Sequence, residues 1–400
     1  MKESQAAQNR RGGFDVPLLA LGFRPFYLAA ALFGVIAVPL WIASYLGVVS
    51  GQAYLAGMIW HSHEMVFGFA AAVIAGFLLT AVRNWTGQAT PTGTGLALLL
   101  MIWLAGRVSV ATGPAFAAVL LDTLFLPLLA LVLAIPICRS RNMRNYKLLV
   151  VLTGLTICNV LFHLAHLGMI RADWLRVSIT LSLDVITILM VIVGGRVIPA
   201  FLANAVADAS PRHVFAVEIL AIGTLLAILL FDVLGDLIAL PKLAWLALLI
   251  TAALANAIRW LFWQPVKTRG NALLWMLPVA YVWIPVSLAL RAFATGGLVP
   301  AAAPVHALTI GAMSGLMLAM MARSALGHTG RELKAGAYEI SAFVLVQLAA
   351  VVRVAGTVID SGVYRSTIIL SAALWLLAFL LFLVRYVPIL MQARIDGRPG

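Results

Sequence analysis

The chain is short of charge and of cysteine, and beyond its first residues it has no long polar stretch. Only 10% of its 400 residues are Asp, Glu, Lys or Arg, against roughly 25% in an ordinary soluble domain. That shortage excludes a water-facing surface of the usual kind. The two cysteines, Cys138 and Cys158, fit no CxxC or CxxCH spacing, which argues against thiol metal clusters and covalently attached haem. Acidic residues number 14 against 27 basic ones, a formal charge of +13. Nucleic acid is nevertheless a poor partner, because the basic residues stand singly between apolar runs and form no stripe. No cleavable signal pattern precedes Gly22, so the first apolar run is expected to remain in the protein.

What is present is hydrocarbon. Hydrophobic residues make up 63% of the chain, more than a soluble core can bury and well suited to a helix bundle in lipid. Runs long enough to cross about 30 Å of hydrocarbon are expected near Pro25–Val48, Ser62–Val82, Gly93–Ala111, Ala115–Cys138, Tyr146–Ile170 and Asp173–Ala203. The second half adds His213–Gly235, Leu243–Trp263, Ala272–Ala294, Pro300–Arg323, Ala337–Ile359 and Val363–Val387. The expected fold is all-α, a polytopic bundle of about twelve spans. Pro39, Pro127, Pro199 and Pro285 fall inside or at the ends of spans, where a membrane helix tolerates a kink. Trp41, Trp60 and Trp263 read as interfacial anchors. No internal repeat is apparent.

Lys and Arg set the expected orientation. With the N-terminus inside, twenty of the 27 basic residues fall in inner segments, from Lys2, Arg10 and Arg11 to Arg394 and Arg398. Only Arg107, Arg171, Arg176, Lys242, Arg291, Arg353 and Arg365 fall outside. The positive-inside rule then places both termini in the cytoplasm, as for an inner-membrane protein. The whole chain, 1–400, reads as one integral membrane domain with a cytoplasmic segment at 1–22 and a cytoplasmic tail at 388–400.

This topology sorts the seven histidines. His61 and His63 open the second span, His163 and His166 close the fifth, and His306 opens the tenth, so five share the outer half. His213 and His328 lie inside. Ionisable groups at that depth usually face a bundle interior or cavity, and imidazole is the commonest metal ligand. Bundle sites are built from side chains on facing helices, so metal or haem ligation by at least two of the five is expected. His163 and His166, three apart, share a helix face. His61 and His63, two apart, would diverge by about 200° in a helix but share a face in an extended segment.

Other polar residues gather at the same level. Glu64 could orient an imidazole, relay protons, or simply favour the helix N-terminus. Arg107, Arg291 and Arg353 are candidate partners for haem propionates or snorkelling residues. Asp122 and Asp184 could carry protons or pair with those arginines. Met313, Met317, Met320 and Met321 stripe the tenth span; thioethers suit copper(I), but packing is the plainer role.

Several blocks resemble the NnrS family of haem- and copper-containing bacterial membrane proteins. They are Leu21-Gly22-Phe23-Arg24-Pro25-Phe26, Trp60-His61-Ser62-His63-Glu64-Met65 with its continuation to Asn84-Trp85-Thr86-Gly87, and Trp103-Leu104-Ala105-Gly106-Arg107. His306-Ala307-Leu308-Thr309 and Met321 to Arg331, ending Gly327-His328-Thr329-Gly330-Arg331, complete the set. Arg83 departs from the pattern, which has proline before Asn84-Trp85. The resemblance implies non-covalent haem b, copper or another second metal, and a role in nitric oxide metabolism during denitrification or nitrosative stress. It makes His61, His63 and His306 haem or copper ligands. His163 and His166 join them by position and pairing.

Three functions follow as expectations. The first is a nitric oxide reductase coupling two NO to N2O and water, with protons entering from the periplasm through Glu64 or nearby acids. Electrons would come from a quinol or an outside redox protein. The second is an NO-binding or sensing protein without turnover, and the third a transporter of metal or small anions.

Overall fold

The computed structural model describes residues 16–49, 54–235, 241–359 and 362–398. Lys2, Arg10 and Arg11 of the expected cytoplasmic segment lie outside them. The described residues are helical, with no strand among them. Twelve helices are long and apolar enough to cross a membrane: α1 Phe23–Tyr45, α2 Gly57–Thr86, α3 Gly93–Thr112, α4 Ala115–Ser140, α5 Met143–His166 and α6 Trp174–Ala205. They continue as α7 Phe215–Leu234, α8 Lys242–Phe262, α9 Ala272–Thr295, α10 Ala302–His328, α11 Ala337–Val358 and α12 Tyr364–Met391. The chain is a multi-pass membrane protein.

The expected boundaries shift at two places that matter. The second span starts at Gly57 rather than Ser62, which makes the stretch carrying His61 and His63 helical. The tenth continues past Arg323 to His328 and ends where Gly330 takes a left-handed φ of 76°, as helix termini commonly require. Pro285 acts as expected of a proline within a span: α9 is interrupted at Val282, just before it. Trp41, Trp60 and Trp263 are only 5%, 2% and 1% exposed. They are packing residues, not interfacial anchors.

A threefold repetition that hydropathy did not reveal organises the bundle. Helices α3, α7 and α11 begin at Gly93, Phe215 and Ala337, two equal steps along the chain. The packing repeats with the same period: α1 lies on α12, α5 on α4 and α9 on α8, while α3 pairs with α4, α7 with α8 and α11 with α12. One span of each set is central. The most apolar stretches of α2, α10 and α6 are 89%, 72% and 67% buried, and no other span exceeds 61%. Side chains facing lipid and one another are both apolar, so this periodicity leaves little trace in composition.

Arg24 closes the ring. It is fully buried, and its Nη1 donates to the carbonyls of Leu390 at 2.9 Å and Gln392 at 2.6 Å. A cation on the last carbonyls of a helix is favourable, and here it ties the start of α1 to the end of α12. The two described ends of the chain therefore meet on one face. His61, His63, His163, His166 and His306 all lie in the opposite half of the spans.

Candidate metal and haem centres

Two inner helices leave α-geometry beside a histidine. In α2 a π-helical segment runs Glu64–Ala70, directly after His63. In α10 another runs Ala307–Ser314, directly after His306. Such segments shift the register of a helix and free a carbonyl, and they recur at functional sites. The carbonyl of Gly68 accepts from Trp103 Nε1 at 3.1 Å. Ser314 Oγ donates to the Thr309 carbonyl at 2.9 Å and accepts from Trp375 Nε1 at 3.1 Å.

Because the start of α2 is helical, His61 and His63 diverge, and each faces a different chamber. His63 enters the chamber formed by α2, α3, α4 and α5. There Asp122 is the hub. His63 Nε2 lies 3.2 Å from Asp122 Oδ2 and 3.2 Å from Asn159 Oδ1. His163 Nε2 lies 2.8 Å from the same Asp122 oxygen, and Asn159 Nδ2 donates to it at 2.9 Å. Tyr54 donates its hydroxyl to His163 Nδ1 at 3.0 Å, which requires the Nε2–H tautomer of that ring. The two imidazole N–H groups thus converge on one carboxylate oxygen. His63, Asp122 and His163 are all buried, and their ligand atoms lie within 4.8 Å of one another. A metal ion would take the place of the two protons.

The charge in this chamber does not close. Arg107 Nη1 donates to Glu64 Oε2 at 2.6 Å, and the same guanidinium pairs with Asp122. Two buried carboxylates therefore share one arginine, with all three residues 5% exposed or less. With neutral imidazoles the set carries one net negative charge, which is costly away from water. Glu64 Oε1 and His63 Nδ1, 3.6 Å apart, each lack a hydrogen-bond partner. The donor set and its charge fit a bound cation.

Small residues make this approach possible. A Cβ on Gly68 would meet Glu64 Oε2 at 2.5 Å, so the glycine leaves room for the carboxylate. His166 stands aside: its Nε2 donates to the Tyr54 carbonyl at 3.0 Å and it packs edge-on against that ring at 4.8 Å. It positions Tyr54, which positions His163.

His61 enters a second chamber, a cavity of about 160 Å³ walled by α1, α2, α6, α10, α11 and α12. Its ring stacks on Trp41 with centroids 4.0 Å apart, and among the described residues it has no hydrogen bond. His306 lines the same cavity. Its Nδ1 donates to the Ala302 carbonyl at 2.7 Å, which leaves Nε2 as the bare, ligand-competent nitrogen. Arg353 also lines it. This guanidinium donates through Nη2 to Tyr364 Oη at 3.2 Å, lies 5.0 Å over that ring, and leaves Nη1 buried without a partner. No carboxylate among the described residues pairs with it. Here the unmatched charge is positive. Two imidazoles and an orphaned arginine fit a haem with its propionates. Met58, Met65 and Met313 form part of the wall, and such unbranched side chains repack readily.

The remaining expected site residues separate from these two chambers. Arg291 donates through Nη1 to Asp184 Oδ1 at 3.1 Å and pairs through Nη2 with Asp232. It lines a third cavity, of about 710 Å³, within α6–α10. Of the three arginines expected beside propionates, Arg353 alone lacks a carboxylate among the described residues. His328 packs on Phe23 at 5.6 Å, and His213 is exposed, 3.8 Å from Glu218. Met317 and Met320 line a separate apolar cavity of about 90 Å³, in keeping with packing. Asn159 and Tyr54 were not foreseen. Asn159 precedes His163 by four residues and so shares its helix face, a readable signal; Tyr54 carries none.

Fold and site together define a polytopic helical membrane protein with a cation-poor His/Asp chamber and a neighbouring His/Arg chamber. The family model described as NnrS protein matches residues 17–394, nearly the whole chain, and the chain belongs to the NnrS family. No curated protein matches it.

Proposed function

We propose that this chain is a haem- and copper-containing redox protein of the bacterial inner membrane that reduces nitric oxide to N2O. The observation that carries the reading is the opposite charge balance of the two chambers flanking α2. The α2–α5 chamber, one negative charge in excess, takes copper at His63, His163 and Asp122. The chamber with His61, His306 and the unpaired Arg353 takes haem b. Both termini face the cytoplasm, so both chambers lie toward the periplasm.

The reaction 2 NO + 2 e⁻ + 2 H⁺ → N2O + H2O needs a redox group, bound NO and protons. The metals supply electron transfer and NO affinity when bound. The protein's share is positioning and proton handling. Tyr54 on Nδ1 holds the imidazole of His163 in orientation, and Asn159 Nδ2 holds the carboxylate of Asp122. Glu64 keeps Oε2 on Arg107 and offers Oε1, 3.6 Å from His63 Nδ1, as the atom that takes and returns a proton. Apolar walls exclude water and hold a small neutral gas close to the metals.

Anaerobic assay of the purified protein with an artificial electron donor tests this. Two NO consumed per N2O formed is the expected result, in protein that shows a b-type Soret band. The wall between the two chambers favours one alternative, capture of NO at the haem without turnover. Stoichiometric NO uptake with no N2O would establish that alternative and overturn reduction.

A further inference from the structure

The third chamber has no role in the chemistry above, yet at about 710 Å³ it is much larger than the cavity of about 160 Å³ that holds His61 and His306. It repeats them in position. Its inner wall is α6, as α2 and α10 wall the others, and Asp184 of α6 falls at near-equal intervals along the chain from His63 and His306. Where those chambers have histidines, this one has a pair of carboxylates on a single guanidinium. Asp184 is 12% exposed at its side chain and Asp232 19%, and Asp184 Oδ2 is buried with no hydrogen-bond partner. A ligand that meets Asp184 Oδ2 must bring a hydrogen-bond donor to it, because an ionised carboxylate oxygen can only accept.

The rest of the cavity describes the ligand's body. Trp245 forms a flat aromatic surface with Arg291 5.3 Å above it and Phe231 edge-on at 6.4 Å. The rest of the lining mixes aliphatic side chains with the hydroxyls of Thr180, Thr187, Ser287 and Thr295, and Arg176 and Lys242 stand at the span ends. An aromatic ring with hydroxyl donors and an apolar body matches Asp184, Trp245 and the aliphatic part of this lining, whereas a bare metal ion has no use for the apolar length.

Location supplies the remaining argument. Leu183 and Val305 line both this cavity and the one that holds His61 and His306. One layer of side chains separates them. The chain has no cysteine pattern for a covalently attached haem or an iron–sulfur cluster, so electrons must arrive on a diffusible donor or from another protein.

We propose that the α6–α10 chamber is a quinol site, the point where membrane-dissolved reductant delivers electrons. This rests on the reading of the chain as an NO-reducing redox protein. The two O–H bonds of the quinol break, its protons pass to Asp184 and Asp232, and its two electrons cross the Leu183–Val305 wall toward the His61–His306 chamber. The ring leaves as quinone. Overall, quinol and two NO give quinone, N2O and water, with no further reductant or proton source.

The test is photolabelling of the full-length, haem-loaded protein with a short-chain azidoquinone, in the absence of NO. Label is expected on peptides of α6, α7, α8 and α9 around Asp184, Phe231, Trp245 and Arg291, and unlabelled short-chain quinol should suppress it. Asp184→Asn, which keeps shape and removes charge, should weaken that competition about tenfold, as for loss of one hydrogen bond to a charged acceptor. Label outside these helices, or competition unchanged in a variant that retains its Soret band, would overturn the proposal. NO turnover with an artificial donor is measured in parallel and separates the two readings. Turnover with misplaced label defeats the quinol site alone. Correct label without turnover leaves the site standing and defeats NO reduction.

Discussion

Gly106 and Asp122 meet across α3 and α4 with no space for a side chain between them: a Cβ on Gly106 would lie 3.1 Å from the Asp122 Cα. That close crossing brings Arg107, the next residue, onto the Asp122 carboxylate. Gly106→Ala should therefore push α4 outward and separate His163 from its carboxylate partner. Overpacking of this kind costs about 1–3 kcal/mol. The expected result is a protein that still inserts and keeps its Soret band but loses copper on metal analysis. Unchanged copper content would refute the role given to this crossing.

The two metals should be separable by mutation. His63→Ala and His163→Ala are expected to abolish copper while the Soret band persists, whereas His61→Ala and His306→Ala should abolish the Soret band while copper persists. Arg353→Ala should lower haem occupancy without affecting copper. Parallel metal analysis and absorption spectra check this. Loss of both metals in every histidine variant would mean that α2 does not divide the sites.

Arg107 is expected to be the least replaceable of the outer arginines. Arg107→Gln leaves Glu64 and Asp122 buried with no counter-charge, and breaking a buried pair in this way costs about 3–5 kcal/mol. Added copper should recover part of that loss by mass action, since the ion replaces the missing charge. Thermal unfolding with and without copper measures both effects. Stability insensitive to the metal would argue against cation binding in this chamber.

Tyr54 gives a pH dependence. It lies between α1 and α2, and burial pushes its hydroxyl up to about 12, from an ordinary value near 10. A raised acid keeps its proton longer when folded, so the native state binds the extra proton between the two values. Its contribution to stability is complete below about pH 10 and is lost as the pH rises toward 12. Once copper takes His163 Nε2 the ring proton sits on Nδ1 and Tyr54 accepts it, so this step is read in thermal unfolding of the metal-free protein. In Tyr54→Phe that alkaline step should vanish and affinity should fall about 10–100-fold, as for other partners that orient a ligand.

Hydropathy made the spans legible, and the distribution of Lys and Arg was enough to collect five histidines at one level. What it could not supply was the direction in which each one faces. His61 and His63 could be read as diverging or converging until the helix start was known, and Gly57 rather than Ser62 begins that helix. Asp122 was visible as an intramembrane acid, but its pairing depends on the crossing of α3 and α4 at Gly106. The threefold repetition was hidden for a simpler reason. Lipid-facing and core-facing positions draw on the same apolar residues, so equivalent helices need share only their length and order. Arg291 and Arg353 show the consequence, since both sit near the ends of their spans and only the surrounding acids distinguish them.

Helix α2 is a party wall. One face presents His61 and the other His63, with only Ser62 between them, so neither imidazole can move without the other. A turn of this helix about its axis by the angle of a single residue would take both imidazoles out of their chambers at once. A shift of this helix at one imidazole would thereby be carried to the other by rigid leverage, without a relay of intervening side chains.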